Sequence, residues 1–183
     1  MPKEISKTIK IAYIGIGSNQ GDKLDNCLKA IDLAGKIRGC TVKARSDFFQ
    51  TEPVGVEDQD SYVNGAIELG AGVSAPHLLK GLLAIEAGMG RVRRRKWGPR
   101  PIDLDLLIYG RHVICEKDLT VPHPFMHLRR FVLAPMVQLA PDLIHPVLKR
   151  TMAELLELLS GDGQSVIRMR EKGAGTQALR KQY

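Results

Sequence analysis

Two carboxylates two residues apart, Asp103 and Asp105, sit in the apolar run Ile102–Tyr109. Such a run reads as a strand. A strand alternates faces, so both carboxylates point the same way, about 7 Å apart at the backbone. Leu104 and Leu106 then face the core. Just upstream, residues 91–100 read Arg-Val-Arg-Arg-Arg-Lys-Trp-Gly-Pro-Arg, six basic residues and no acid. Paired carboxylates suit Mg²⁺, which takes one or two of them and fills its octahedron with water and phosphate oxygens. Such a pair also bridges two metals in in-line phosphoryl displacement. The alternative is plain ion pairing of Asp103 and Asp105 with Arg100 or Arg94. Arginine forks match phosphate oxygens and neutralise charge on a leaving group, and Arg91, Arg93 and Arg100 are the candidate grips. The bland reading of the run is a solvated charge cluster or a nucleic-acid patch. Gly88, Gly90, Gly98 and Pro99 bracket it as hinges of a lid.

Other motifs are weaker. Gly15-Ile-Gly-Ser-Asn-Gln-Gly21 is neither a Walker A loop nor a dinucleotide fingerprint, and a tight turn after a central strand explains its glycines more simply. His123 and His127 stand four apart, but Pro122 and Pro124 disfavour a helix, so a His–His metal pair is not expected. Tyr62 and Asn64 share one face of a strand, and Phe131 follows Arg129-Arg130. Two rings and one amide could sandwich and read a flat heterocycle; core packing is the competing reading of each ring.

The elements that must position these groups follow from periodicity. Ile9 to Ile16 reads as a buried strand. A helix follows from N-cap Asp22, carried by Leu24, Cys27, Leu28, Ile31 and Ala34. Val42–Phe49 and Tyr62–Leu69 read as the second and third strands. Ser74 caps a second helix with Pro76 in its first turn, carried by Leu78, Leu79, Leu82, Leu83 and Ile85. Ile102–Tyr109 is the fourth strand, and Gly110-Arg111 turns it into a hairpin partner around Val113. Helices are expected near Phe131–Leu139 and Met152–Leu159. The order βαββαβ plus a C-terminal extension predicts an α+β, ferredoxin-like sandwich. In that topology the segments 17–22, 50–61 and 88–101 meet at one sheet edge, where function belongs.

The chain has 183 residues, enough for a single domain, with a core over about 9–160 and a loose tail at 161–183 expected. The net charge of +7 favours an anionic partner. Cys27, Cys40 and Cys115 are too far apart for a zinc spacing and odd in number, so they read as reduced thiols of a cytoplasmic protein. No apolar run is long enough to span a bilayer, and the first residues lack a signal core, so neither membrane nor secretion is expected.

Four segments carry a resemblance to a known family. They are Tyr13-Ile-Gly-Ile-Gly-Ser-Asn19; Thr51-Glu-Pro-Val-Gly55 with Tyr62-Val-Asn64; Gly90-Arg-Val-Arg93 with Trp97-Gly-Pro-Arg-Pro-Ile-Asp-Leu-Asp105; and Leu119-Thr-Val-Pro-His-Pro124 with Arg129 to Pro135. Over about residues 10–145 the chain resembles the 6-hydroxymethyl-7,8-dihydropterin pyrophosphokinases of folate biosynthesis. The resemblance implies transfer of the terminal pyrophosphate of ATP to the hydroxymethyl group of the dihydropterin, with release of AMP. It implies that Asp103 and Asp105 hold two Mg²⁺ ions, and that Arg91 and Arg100 stabilise the transferring group. Thr51, Val54, Tyr62, Asn64 and Phe131 would bind the pterin, with Tyr62 and Phe131 stacking on its faces. Glu86, Arg93, Trp97, Thr120, His123 and Arg129 would lie around ATP. Two positions depart from the pattern: Gln138 stands where an acid is frequent, and Lys96 rather than Arg precedes Trp97.

The runner-up is an RNA-binding module of the same element order, which needs rings on its central strands and an RNP string that does not occur here. A Mg²⁺-dependent nuclease using the same two aspartates is a third reading. The first reading needs only small-molecule partners, with no nucleic acid, membrane or obligate protein partner.

Overall fold

The structure, a computed structural model, describes residues 8–52, 60–91, 100–161 and 163–169. The β-branched run at the start forms β1 (Lys10–Ser18). Helix α1 (Lys23–Gly35) begins where Asp22 accepts the Asp25 N–H at 3.0 Å. The chain continues through β2 (Cys40–Arg45), β3 (Phe49–Thr51), β4 (Tyr62–Ala71), α2 (Ala75–Gly88) and β5 (Asp103–Tyr109). Beyond lie β6 (Ile114–Glu116), β7 (Leu119–Val121), α3 (Arg130–Leu139), α4 (Met152–Leu158) and β8 (Val166–Arg168).

The main sheet runs in the order β5-β1-β4-β3-β8, with β2 also on β4, and every described pairing is antiparallel. This is the expected ferredoxin-like arrangement. Helices α1 and α2 pack on one face, over Ile14, Ile16, Ile67, Leu104 and Leu106. The small residues Cys27, Ala30 and Ala34 bring α1 down onto the strands. Helices α3 and α4 cover the lower part of the other face, over Tyr13, Ala66 and Leu107, with Leu133, Met136 and Leu155. The upper end of that second face carries Asp103, Asp105 and Asn64.

Four sequence expectations are corrected. The strand expected over Val42–Phe49 breaks at 46–48. There Ser46 bonds Ala66 through both its backbone N–H and its hydroxyl, and it also donates to the Asp47 carbonyl. A side chain thus replaces the regular ladder, and the chain bends before β3. The hairpin partner near Val113 does not join β5; β6 pairs with β7 in a separate two-stranded sheet. The Ser74 side chain makes no cap bond to α2, although its backbone is extended as a cap requires. The segment expected to be a loose tail contains β8, which pairs with β3, while the Met169 N–H donates to the Phe48 carbonyl at 2.8 Å. Arg168 adds an ion pair to Asp47.

Candidate active site

The loop ends predicted to meet do so. Asn19 is buried; its side-chain oxygen accepts the Arg100 N–H at 2.8 Å, and its own N–H donates to the Arg100 carbonyl at 3.3 Å. Lys23 donates from Nζ to the Ser61 carbonyl at 2.8 Å. These bonds tie the end of β1 to the segment entering β5, and the start of α1 to the segment entering β4.

Cross-strand register then sets the site. Asp103 lies opposite Gly17 on β1, and Gly17 lies opposite Asn64 on β4. One row across three strands reads Asp103–Gly17–Asn64, and the next reads Asp105–Gly15–Ala66. Gly15 and Gly17 are therefore inside β1, not in a turn. Gly17 permits a close approach: a Cβ there would lie 2.8 Å from the Asn64 Oδ1, so the amide would have to shift. The Asn64 amide in turn donates to the Thr51 hydroxyl at 2.7 Å, and Tyr62 pairs with Thr51 across β3 and β4. Burial raises the Tyr62 phenol, which also feels the charges of Arg100 and Asp103. The Asn64–Thr51–Tyr62 group and the two aspartates thus lie at the same end of the sheet, on either side of β1.

The acidic and basic groups interlock. Asp103 accepts from Arg91 at 2.5 Å on one oxygen and from Arg100 at 2.8 Å on the other. Glu86, buried at the end of α2, accepts the Leu104 N–H at 2.8 Å and holds the same Arg91 guanidinium. The ion-pair alternative drawn from sequence is therefore realised for Asp103, with Arg91 joining Arg100; Arg94 lies outside the described residues. Asp105 is different. Burial first, and then the Asp103 charge, push its carboxyl up to about 7. Its charged form is thus disfavoured by the low-dielectric surroundings and by the like charge beside it.

A cleft of about 230 Å³ runs along β5 between α2 and β7, lined by Glu86, Arg91, Asp103, Asp105, Thr120 and His123. Burial, with the Arg129 charge second, holds His123 down at about 4, so its imidazole is neutral at pH 7. The Arg129 guanidinium lies 5.6 Å from the Phe125 ring centroid and 5.8 Å from that of Phe131, at the start of α3. Thr51, Tyr62 and Asn64 thus form one group, and the cleft residues another, joined through Arg100 and Asp103. Among the described residues Phe131 is joined to neither group directly; its ring lies against Arg129, whose charge acts on Asp105 and His123. Val54, Arg93 and Trp97 lie outside the described residues.

No group of three or more His, Cys, Asp or Glu is placed to hold a metal among the described residues. Two same-face carboxylates are what Mg²⁺ takes from a protein when phosphate and water complete its shell, so the donor set fits that ion and not zinc. Sequence reading misses the structural parts of Asn19, which anchors the Arg100 backbone, and of Gly17. The signal for both is present in Gly17-Ser-Asn19, but their reasons lie in distant partners.

Comparison with known proteins places the chain. Residues 13–141 match the family model described as 7,8-dihydro-6-hydroxymethylpterin-pyrophosphokinase (HPPK). A 2-amino-4-hydroxy-6-hydroxymethyldihydropteridine pyrophosphokinase of Methylorubrum extorquens is 40% identical over 152 residues, covering 83% of this chain and 95% of that protein. One of the same description from Synechocystis sp. is 39% identical over 156 residues, covering 85% and 80%. Among solved structures, a Plasmodium falciparum HPPK-DHPS chain is similar in fold, with a TM-score of 0.71 at 13% identity. That match covers 88% of this chain and 48% of the longer one. The fold and the family model together define a small α+β transferase. The chain belongs to the 7,8-dihydro-6-hydroxymethylpterin-pyrophosphokinase family, whose members are ATP-dependent enzymes of folate biosynthesis.

Proposed function

We propose that this chain transfers pyrophosphate from ATP to 6-hydroxymethyl-7,8-dihydropterin at the junction of the two rows on β1, β4 and β5. The hydroxymethyl oxygen attacks the β-phosphorus. The bond from that phosphorus to the oxygen bridging it to the α-phosphorus breaks, AMP leaves, and the hydroxyl proton is released. The observation that carries this reading is the register Asp103–Gly17–Asn64. Adjacent strands stand about 4.8 Å apart, so Asp103 and Asn64 are roughly 10 Å apart at the backbone, the span of a bicyclic ring and its substituent.

Each residue has a role in this reading. Asn64, fixed by Thr51, presents an amide that matches donors and acceptors on a pterin edge, and Val54 is assigned to the same substrate by the family pattern. Tyr62 and Phe131 supply the stacking faces. Arg91 and Arg100 stand where the transferring group would gather charge, and Arg93 and Trp97 would join them around the nucleotide. Thr120, neutral His123 and Arg129 line the nucleotide side, with Glu86 beneath them. Asp103 and Asp105 would hold two Mg²⁺, which neutralise and order the triphosphate. The protein's own part is positioning and fixed charge.

The RNA-binding alternative would need an RNP string with rings on the central strands; at this sheet end β1 presents Gly17, and β4 presents Asn64 and a single ring, Tyr62. Calorimetry tests the pocket. Tyr62→Ala, Phe131→Ala and Asn64→Ala should weaken pterin binding and leave nucleotide binding near wild type. Loss of ATP rather than pterin in all three would misplace the pocket.

A further inference from the structure

Two arginines close on one carboxylate from the two ends of one segment. Arg91 takes one oxygen of Asp103 at 2.5 Å and Arg100 takes the other at 2.8 Å. Asp105, on the same face, has no ion-pair partner among the described residues. The cleft therefore contains one carboxylate held by two guanidinium groups and one without an ion-pair partner among the described residues. Glu86 completes the arrangement. It is buried, fixed by the Leu104 N–H, and shares the Arg91 guanidinium with Asp103.

We propose that Arg91 and Arg100 are internal counter-ions of Asp103, exchanged for a divalent cation as nucleotide loads, with Glu86 retaining Arg91 through the exchange. The proposal rests on the reading of Asp103 and Asp105 as cation ligands. A divalent ion on an Asp103 oxygen would stand beside a guanidinium on that same oxygen, and two cations so close in a half-buried cleft repel strongly. One must leave. Arg91 shifts its bond wholly to Glu86 and stays within the cleft. Arg100 is anchored by its backbone to Asn19, so only its side chain swings. Phosphate oxygens offer both guanidinium groups new partners, and a bare cation offers none. The exchange therefore makes the site a poor binder of free cation and a good binder of the cation–triphosphate pair. It also delivers both arginines to the phosphates at the moment of loading.

Bare Mn²⁺ binding to the full chain without nucleotide, read by electron paramagnetic resonance as the free-ion fraction, tests this. Arg91→Ala and Arg100→Ala should each bind Mn²⁺ about tenfold more tightly than wild type, although both lose activity. Arg129→Ala is the control for a general field effect. Arg129 acts on the Asp105 charge from its place between the Phe125 and Phe131 rings. It should gain less than about threefold. Equal gains in all three variants, or none in Arg91→Ala and Arg100→Ala, would overturn the exchange. Should Arg91→Ala fail to fold, the Mn²⁺ affinity of Arg100→Ala decides between the same two outcomes. Asp105→Asn should lose Mn²⁺ binding. Wild-type binding by that variant would overturn the cation-site reading itself, and the exchange with it, in an arm separate from the arginines.

Discussion

Gly17 and Asn64 face each other across the two central strands, and a Cβ on residue 17 would stand 2.8 Å from the Asn64 side-chain oxygen. The glycine is kept by the amide it makes room for. Gly17→Ala should push Asn64 off Thr51 and raise the pterin dissociation constant about tenfold. The nucleotide constant should hold. Pterin titrations of the purified variant check this; unchanged pterin affinity would remove Asn64 from the recognition site.

The two aspartates should differ in what they do to stability. In Asp105 the folded pKa, about 7, is above the ordinary 3.8. The folded chain keeps a proton there that the unfolded chain releases. Stability from this group is thus full below about pH 4 and falls as pH rises toward 7. In metal-free buffer at pH 8, Asp105→Asn should be more stable than wild type by about 1–2 kcal/mol, with the gain vanishing near pH 4. Asp103→Asn should instead lose about 1 kcal/mol, because Arg91 and Arg100 lose their partner. Urea melts at the two pH values separate these signs.

Gln138, at the end of α3, accepts the Asp47 N–H at 2.9 Å and donates to the Asp47 carboxylate at 3.1 Å. Gln138→Glu should set two carboxylates against each other and cost about 0.5–1 kcal/mol. Adding Asp47→Asn to the same chain should restore most of that loss, since the amide introduced there could donate to the new carboxylate. A double-mutant cycle by thermal melting measures the coupling; strict additivity would show that the pair carries none.

Cys27 is fully buried, and burial pushes its thiol up to about 12, while Cys115 is exposed on β6. A thiol titration of the native protein should show one fast group, lost in Cys115→Ser. Cys27 and Cys40 should react only on unfolding. Rapid labelling of Cys27 would contradict the packing of α1 on the sheet.

What can be read from sequence is whatever local chemistry decides. The Asp22 cap, the apolar run of β1 and the same-face placement of Asp103 and Asp105 depend on neighbours within a few residues. What is misread depends on distant ones. Gly17 reads as a turn glycine because its reason is Asn64, on another strand. The break at 46–48 is made by the Ser46 hydroxyl on Ala66. Strand β8, Val166–Arg168, is too short to show alternation and exists because Phe49–Thr51 offers it an edge. Among the site residues, Thr51 and Asn64 are hydrogen-bonded partners, whereas in the sequence only the family resemblance brings them together. The part of Glu86 as a brace between Arg91 and Leu104 carries no sequence signal at all.

The most direct test of the account is transfer by the full chain with ATP, hydroxymethyldihydropterin and Mg²⁺, read as AMP and pterin diphosphate together. Wild type should form the two in equal amounts, only when Mg²⁺ is present. Asp105→Ala should lose at least about a thousandfold in rate while keeping its pterin affinity. Near-wild-type turnover by Asp105→Ala, or AMP formed without pterin diphosphate, would contradict the placement of the cation and of the transfer step in this cleft.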